Sequence, residues 1–451
     1  RHRYTEQNRA QHMIGSHVTE SLCKSRVENV CTASLCVGLL LSQGFCCVVL
    51  VLRQLSKMPG RVAVVGGGIS GLVCAARLGQ LGVSDVTVFD TGRHACGGRC
   101  SSRTETIAGQ EYIFDHSAQY FTVSDPRFAK IISSLHSQGA VKVWSGPVGH
   151  LKAGRFEKDS NLTQAFVGSQ GMRSVSECLT RMCRVHRPGW VGHVAFDSMA
   201  KKWKVDKYGF FDYLVVAHNG KCADRLMANS GADDIHQLLR VRFSDKLNPR
   251  DARMHLNSLW VLLVGFKSSL GLPYEGAHVT DAQEPISWLC NNSAKLGQRG
   301  LVECWTVTSN AAFGTVHKVP QENIPPGKEK EIVKTLLASL SRITGLKTLP
   351  EVCFTRVQLW GAALPLNVYS SKDECLFDAP RQVGVCGDWL VSPCIQGAAV
   401  SGMVMAEKIK AHMSGDSRST ELRPQFKPAG SDAIGAFPVN PNMQFHPKTK
   451  A

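Results

Sequence analysis

Three glycines at fixed spacing are the first residues in this chain that imply chemistry. Gly66, Gly68 and Gly71 fall in the segment Gly66, Gly67, Gly68, Ile69, Ser70, Gly71, which fits G-x-G-x-x-G. In that pattern the first glycine permits a tight turn. The second lets backbone approach a pyrophosphate, and the third lets helix and strand pack closely. Ser70 falls in the first helical turn, where free N–H groups and the positive end of the dipole meet phosphate. Asp90 follows Gly71 by 19 residues, where a carboxylate accepts from ribose hydroxyls. The chemistry implied is capture of a dinucleotide.

The flanking elements are those the motif requires. Val62, Ala63, Val64 and Val65 make a short β-branched run that reads as a buried parallel strand. Leu72, Val73, Ala75, Ala76, Leu78 and Leu81 repeat at helical spacing until Gly82. Val86, Thr87, Val88 and Phe89 then form a second strand ending at Asp90. A lone glycine motif is weak, but here strand, helix, strand and acid are in register.

Further candidates lie downstream. Gly97, Gly98 and Arg99 follow the acid-ended strand, and Arg99 is a planar donor suited to phosphate. Cys96 and Cys100 bracket them in a CxxxC spacing that reads as incidental thiols. A strand over 211–217 ends at Ala217, and Val191 is grouped with the cofactor contacts. A strand at 383–386 runs into Gly387 and Asp388, and a helix through about Ala411 opens with Gly397 and Ala398. No second G-x-G-x-x-G unit appears, which argues against a separate nicotinamide domain of the disulfide-reductase kind.

The GG-R segment is similar to that of FAD-binding, amine-oxidase-like flavoproteins. The segment 114–122 (Phe114, Asp115, His116, Ser117, Ala118, Gln119, Tyr120, Phe121, Thr122) resembles the renalase-like, plant-type FAD/NAD(P)-binding oxidoreductases. So do 166–172, 217–222, 291–296 and 359–365, the last holding Trp360 and Gly361. The likeness covers about residues 60–412 and neither end.

The resemblance implies an α/β protein with a Rossmann-like FAD-binding domain of the p-hydroxybenzoate-hydroxylase type. An inserted α+β substrate domain with a mixed sheet completes it. It implies FAD bound non-covalently and a flavin oxidase that moves hydride from a small reduced substrate to flavin N5. An isomeric dihydronicotinamide is the candidate donor and O2 the acceptor. Gln119 and Tyr120 would lie near the isoalloxazine, and Trp360 would wall the substrate cavity. His116 reads equally as an acid/base or as a histidine satisfied by backbone. Lys267 and Lys295 are candidates for the lysine–water bridge to flavin N5 that some amine oxidases use, and neither is counted in the site. An amine oxidase or desaturase of the same superfamily, and a non-catalytic flavin-binding redox sensor, are the alternatives.

The expected boundaries are a leader, targeting or anchor segment at 1–57 and a disordered tail at 414–451. The FAD domain takes 58–122, 205–222 and 381–413, and the substrate domain takes 123–204 and 223–380. Helix is expected from Lys328 to Ile343, and strands at 202–205 and 258–264 are expected in one sheet over the flavin. The formal charge of +16 is dispersed, without a long Lys/Arg run. Nucleic-acid binding is therefore not expected; dispersed charge suits a small anionic ligand or a negative surface equally, and a solubilising surface accounts for it as well. Membrane contact is expected only if residues 33–52 form an anchor. Seventeen cysteines without zinc-type spacing suggest reduced thiols in a reducing intracellular compartment and no metal site.

Overall fold

The computed structural model of the chain describes residues 60–429, apart from Asn219 and Pro249. The expected segment 1–57, its possible anchor 33–52 and the last part of the expected tail lie outside the described residues.

The strand Val62–Val65 sits inside a six-stranded sheet. Its order is Leu376–Asp378, Val383–Val385, Tyr213–Val216, Val62–Val65, Val86–Phe89, Val185–His186. All neighbours are parallel except the outermost pair, Leu376–Asp378 with Val383–Val385. The all-apolar first strand follows from burial on both faces. Val62 and Val64 pack with Leu72, Val73 and Met405, whereas Ala63 and Val65 pack with Trp203, Leu226 and Ile235. The glycine-loop helix Ile69–Gln80 and the carboxy-terminal helix Ile395–Met413 lie together on the first of these faces.

A second, seven-stranded sheet is mixed. Its order is Val352–Trp360, Leu259–Phe266, Glu303–Ser309, Ile286–Asn291, Gly276–Val279, Val148–Lys152, Arg155–Lys158. Its one parallel pair joins Gly276–Val279 to Val148–Lys152. The helix Pro326–Thr344 covers one face through Ile332, Leu336 and Leu340, packed on Trp260, Leu262 and Trp305. Side chains alternate along a strand, so Leu259 and Val261 point away from that helix.

Several boundaries differ from the expected ones. Lys202–Val205 joins a three-stranded sheet with Val194–Asp197 and Phe210–Phe211, and does not join the strand Leu259–Phe266. Trp203, fully buried, packs it beneath the dinucleotide sheet. Helix Pro126–Ser137 and helix Arg173–Thr180, expected in the substrate domain, pack into the first core through Phe128, Ile132, Val175 and Leu179. Helices Gly220–Met227 and Asp233–Leu239 likewise belong to the core under that sheet. The expected tail is ordered as far as described. Phe426–Pro428 pairs with Asn367–Tyr369, and the Thr420 hydroxyl accepts from the Phe377 N–H at 2.8 Å. Among the described residues no helix is long and apolar enough to cross a membrane, and no His/Cys/Asp/Glu cluster could hold a metal.

Candidate functional site

One cavity of about 440 Å³ runs between the two sheets. Its first part is built from backbone. Gly66 has φ of +119°, and a Cβ at Gly71 would stand 2.0 Å from the Gly66 carbonyl oxygen. Only glycine fits either position. Gly68 differs: a Cβ there meets nothing within 4 Å, because it faces the cavity. Gly68 caps the helix without a side chain, so the first-turn N–H groups are left for a ligand.

Asp90 holds this loop. Its Oδ2 accepts from the Gly67 N–H at 2.9 Å and its Oδ1 from the Gly92 N–H at 2.8 Å. Each oxygen keeps a lone pair for a further donor. Ser70 lines the cavity, with its hydroxyl 3.4 Å from the Ala217 carbonyl oxygen, and Ala217 lines it too. Gly98, with φ of +55°, lies beside Gly68 at the wall. Val191 is buried at the Asp90 end.

Arg99 and Asp388 meet at 2.8 Å, and Arg99 also donates to the Ala363 carbonyl at 2.9 Å. Burial alone would lower the Arg99 pKa, but the Asp388 carboxylate outweighs it and raises it. This ion pair ties the GG-R turn to the strand-end turn Gly387, Asp388. Of the expected cofactor residues only Gly71 and Gly397 do not line the cavity. Gly71 serves packing, as its spacing implies. Gly397 is a correction: a Cβ there would stand 2.1 Å from the Ser392 carbonyl oxygen, and its N–H is donated to Cys394 Sγ at 3.1 Å. Cys394 caps the helix, and Ala398 reaches the cavity.

The second part of the cavity is built from side chains. Tyr120, Leu259, Val261, Trp288, Thr308, Gln321 and Trp360 line it. Trp360 donates its indole N–H to the His116 carbonyl at 2.8 Å and stacks on the His116 ring at 5.6 Å. His116 therefore stands behind Trp360, outside the cavity lining. Burial, with help from Arg103, pushes its pKa down to about 4. Tyr120 sits against Trp144 and Trp288, with its hydroxyl 3.2 Å from His278 Nε2. Burial raises the Tyr120 pKa, and burial with His150 nearby pushes His278 down to about 4.

Gln119 lines the cavity but turns its amide back, donating to the Asp115 and Ser117 carbonyls at 2.9 Å. Behind it lies an ion pair between Lys295 and Asp115 at 2.9 Å, with both side chains fully buried. Lys295 Nζ also donates to the Gln119 carbonyl at 3.3 Å. Burial opposes the lysine charge, yet Asp115 prevails and raises the pKa. Lys267 is instead exposed and paired with Glu351, away from the cavity lining.

Trp288, Leu259, Val261, Thr308, Gln321 and Trp190 escaped sequence reasoning, since no local motif marks them. The continuous apolar run at 259–264 reads as a strand, and strand geometry alone puts Leu259 and Val261 on one face.

The residues fit a dinucleotide such as FAD. A Cβ-free cradle opens at Gly68, and Thr122 Oγ1 and Trp389 Nε1, both on cavity-lining residues, have no partner. Orphaned buried polar atoms await a ligand or water.

Fold and cavity together define a Rossmann-like dinucleotide-binding architecture with mixed α/β sheets. Residues 64–135 match the family described as NAD(P)-binding Rossmann-like domain. The chain is similar to reduced UDP-galactopyranose mutase, with TM-score 0.56 and 10% identity over 80% of this chain and 95% of that one. It is similar to cyclohexylamine oxidase from Brevibacterium oxydans IH-35A, with TM-score 0.55 and 12% identity over 79% and 100%. A fatty acid isomerase from P. acnes aligns with TM-score 0.53 and 12% identity over 77% and 98%. A mutase, an oxidase and an isomerase thus share this fold, so the fold does not choose the reaction.

Proposed function

We propose that this chain is an FAD-dependent oxidoreductase of the renalase-like kind. It takes hydride from a small, flat, reduced ring such as an isomeric dihydronicotinamide, with dioxygen as acceptor. The observation that carries this reading is the continuity of one cavity. It runs from the glycine loop and Asp90 to a pocket walled by Tyr120, Trp288 and Trp360. Leu259, Val261, Thr308 and Gln321, which line the cavity with these rings, add no ionisable side chain, and a flat neutral ring meets such a wall without an unpaired charge to desolvate.

FAD, when bound, supplies the two-electron acceptor. The chain's own part is binding and orientation. Gly68 and the first helical turn meet phosphate, and Asp90 meets ribose. Arg99, paired with Asp388, brings positive charge to the same wall. Trp360 and Tyr120 hold a planar substrate by stacking, which fixes its distance and tilt and excludes water. His116 and Lys295 stay out of the lining and hold Trp360 and Gln119 in place. Binding of FAD and of reduced nicotinamide, without nucleic acid, is part of the same proposal.

The test is anaerobic titration of the FAD-loaded full chain. Bleaching by an isomeric dihydronicotinamide, with hydrogen peroxide appearing on admission of air, is the expected result. Bleaching by cyclohexylamine alone would replace the proposal with an amine oxidase. No bleaching by either sinks the oxidase reading.

A further inference from the structure

The Asp90 end of the cavity holds an exposed tryptophan. Of the eight tryptophans, all among the described residues, Trp190 alone is exposed, at 58%. It lines the cavity together with Gly189, Val191 and Gly192. What sets Trp190 apart from other exposed apolar side chains is its place in the cavity wall, where an uncovered ring can meet a flat ligand.

The loop that carries it is fixed at both ends. The Gly189 N–H donates to the Asp90 carbonyl at 2.7 Å, and the Gly192 N–H to Asp206 Oδ2 at 3.1 Å. The Tyr208 hydroxyl donates to the Trp190 carbonyl at 3.4 Å. Val191 is 7% exposed and packs into the core beneath the sheet. The loop thus buries one neighbour and presents the other. Arg225, exposed and without an ion-pair partner among the described residues, lines the cavity as well. So does Cys222, the one exposed thiol among the described cysteines.

The acid ending the second strand sets the direction of a bound dinucleotide. Its ribose lies at Asp90, so the base beyond that ribose reaches Gly189, Trp190 and Gly192. We infer that Trp190 is a stacking platform for the adenine of the bound dinucleotide, with Arg225 at the same rim. Every base offers a π-face to an aromatic ring, and a guanidinium adds cation–π attraction. The site therefore recognises the ADP half of the ligand, independently of the flavin half. This inference rests on the dinucleotide part of the proposed function, and its test separates the two.

The test measures binding of ADP, FAD and FMN to the cofactor-free full chain, by equilibrium dialysis and, in the wild type, by total tryptophan fluorescence with Trp190→Phe as its reference. ADP is expected to quench the wild type and to shield Cys222 from a maleimide, with Cys222→Ser as the labelling control. Trp190→Ala should weaken ADP and FAD about tenfold or more and leave FMN unchanged, and Trp190→Phe should recover most of the loss. Undiminished FAD and ADP affinity in Trp190→Ala overturns the platform. Equal losses for FAD and FMN overturn it too, since that pattern means the loop has collapsed. If the wild type binds FMN and FAD alike but not ADP, the adenine site fails while the flavin reading stands. If it binds none of the three, the dinucleotide reading fails first and takes the platform with it.

Discussion

The two parts of the cavity are made in opposite ways. Around Gly66, Gly68 and Asp90 the wall is backbone, and a missing Cβ is its main feature. Around Tyr120, Trp288 and Trp360 the wall is large aromatic side chains brought from three distant segments. The first kind of wall is generic, because pyrophosphate is the same in every dinucleotide. The second is particular, because each ring excludes some substrates and admits others. On the proposed reading, specificity resides in the part that packing positions.

The sharpest way to break the comparison is within the glycines themselves. Gly71→Ala forces a Cβ against the Gly66 carbonyl, and we expect a loss of at least about 4 kcal/mol or failure to fold. Gly68→Ala adds the same atom to open space, so its melting temperature should stay near wild type. FAD affinity should nevertheless fall at least about a hundredfold, since the methyl occupies the phosphate approach. Calorimetry with flavin titration on both variants checks this. Loss of stability in Gly68→Ala, or retained FAD binding, would contradict the assignment.

The aromatic part depends on a buried charge pair. Lys295→Met leaves Asp115 unpaired at zero exposure, and denaturant unfolding should show a loss of about 3–5 kcal/mol. Replacing both partners with Met and Asn should cost much less. An equal loss in the double variant would mean that packing, and not charge, is at stake.

Next in size is pH. His116 and His278 are buried and held neutral, with pKa values near 4 against an ordinary 6.5. Below pH 6.5 the unfolded chain takes up protons that the folded chain refuses. Stability is then complete above pH 6.5 and declines as pH falls toward 4, by on the order of 3 kcal/mol per histidine. His278→Gln should flatten part of that decline. A variant curve parallel to wild type between pH 4 and 6.5 would remove His278 from the account.

The smallest effect is expected at Trp360. Trp360→Ala should leave FAD binding within about twofold and raise the half-saturating substrate concentration about tenfold. A larger loss of FAD than of substrate would place Trp360 on the cofactor instead.

The two parts also differ in how far sequence revealed them. Gly66, Gly68, Gly71 and Asp90 lie within 25 consecutive residues, and local spacing fixes their geometry. Trp288 and Tyr120 are 168 positions apart and meet only because the loop after the strand Gln110–Asp115 packs on the strand Ile286–Asn291. The apolar run at 259–264 reads as a strand without saying which of its side chains face the cavity. Gly397 opens a helix as expected, but its missing Cβ answers close contact with Ser392 and not the cavity, a contact that local spacing does not reveal. Strand 202–205 was assigned to the wrong sheet because a Trp-bearing strand packs equally well on either. The tail to residue 429 read as disordered from its proline and serine content. Its one buried threonine and a three-residue pairing tie it down nonetheless.

The central strand Val62–Val65 has its next partners at Tyr213–Val216 and, one place further, at Val383–Val385. Those partners leave the ribosome about 150 and about 320 residues after it. The glycine loop is thus synthesised early and stays open until the last strand and the helix Ile395–Met413 arrive. A chain stopped near residue 380 would carry the whole loop motif and still be unable to close over a cofactor. On the proposed reading, retained yellow colour would then report more than binding: it would show that synthesis had passed the helix Ile395–Met413.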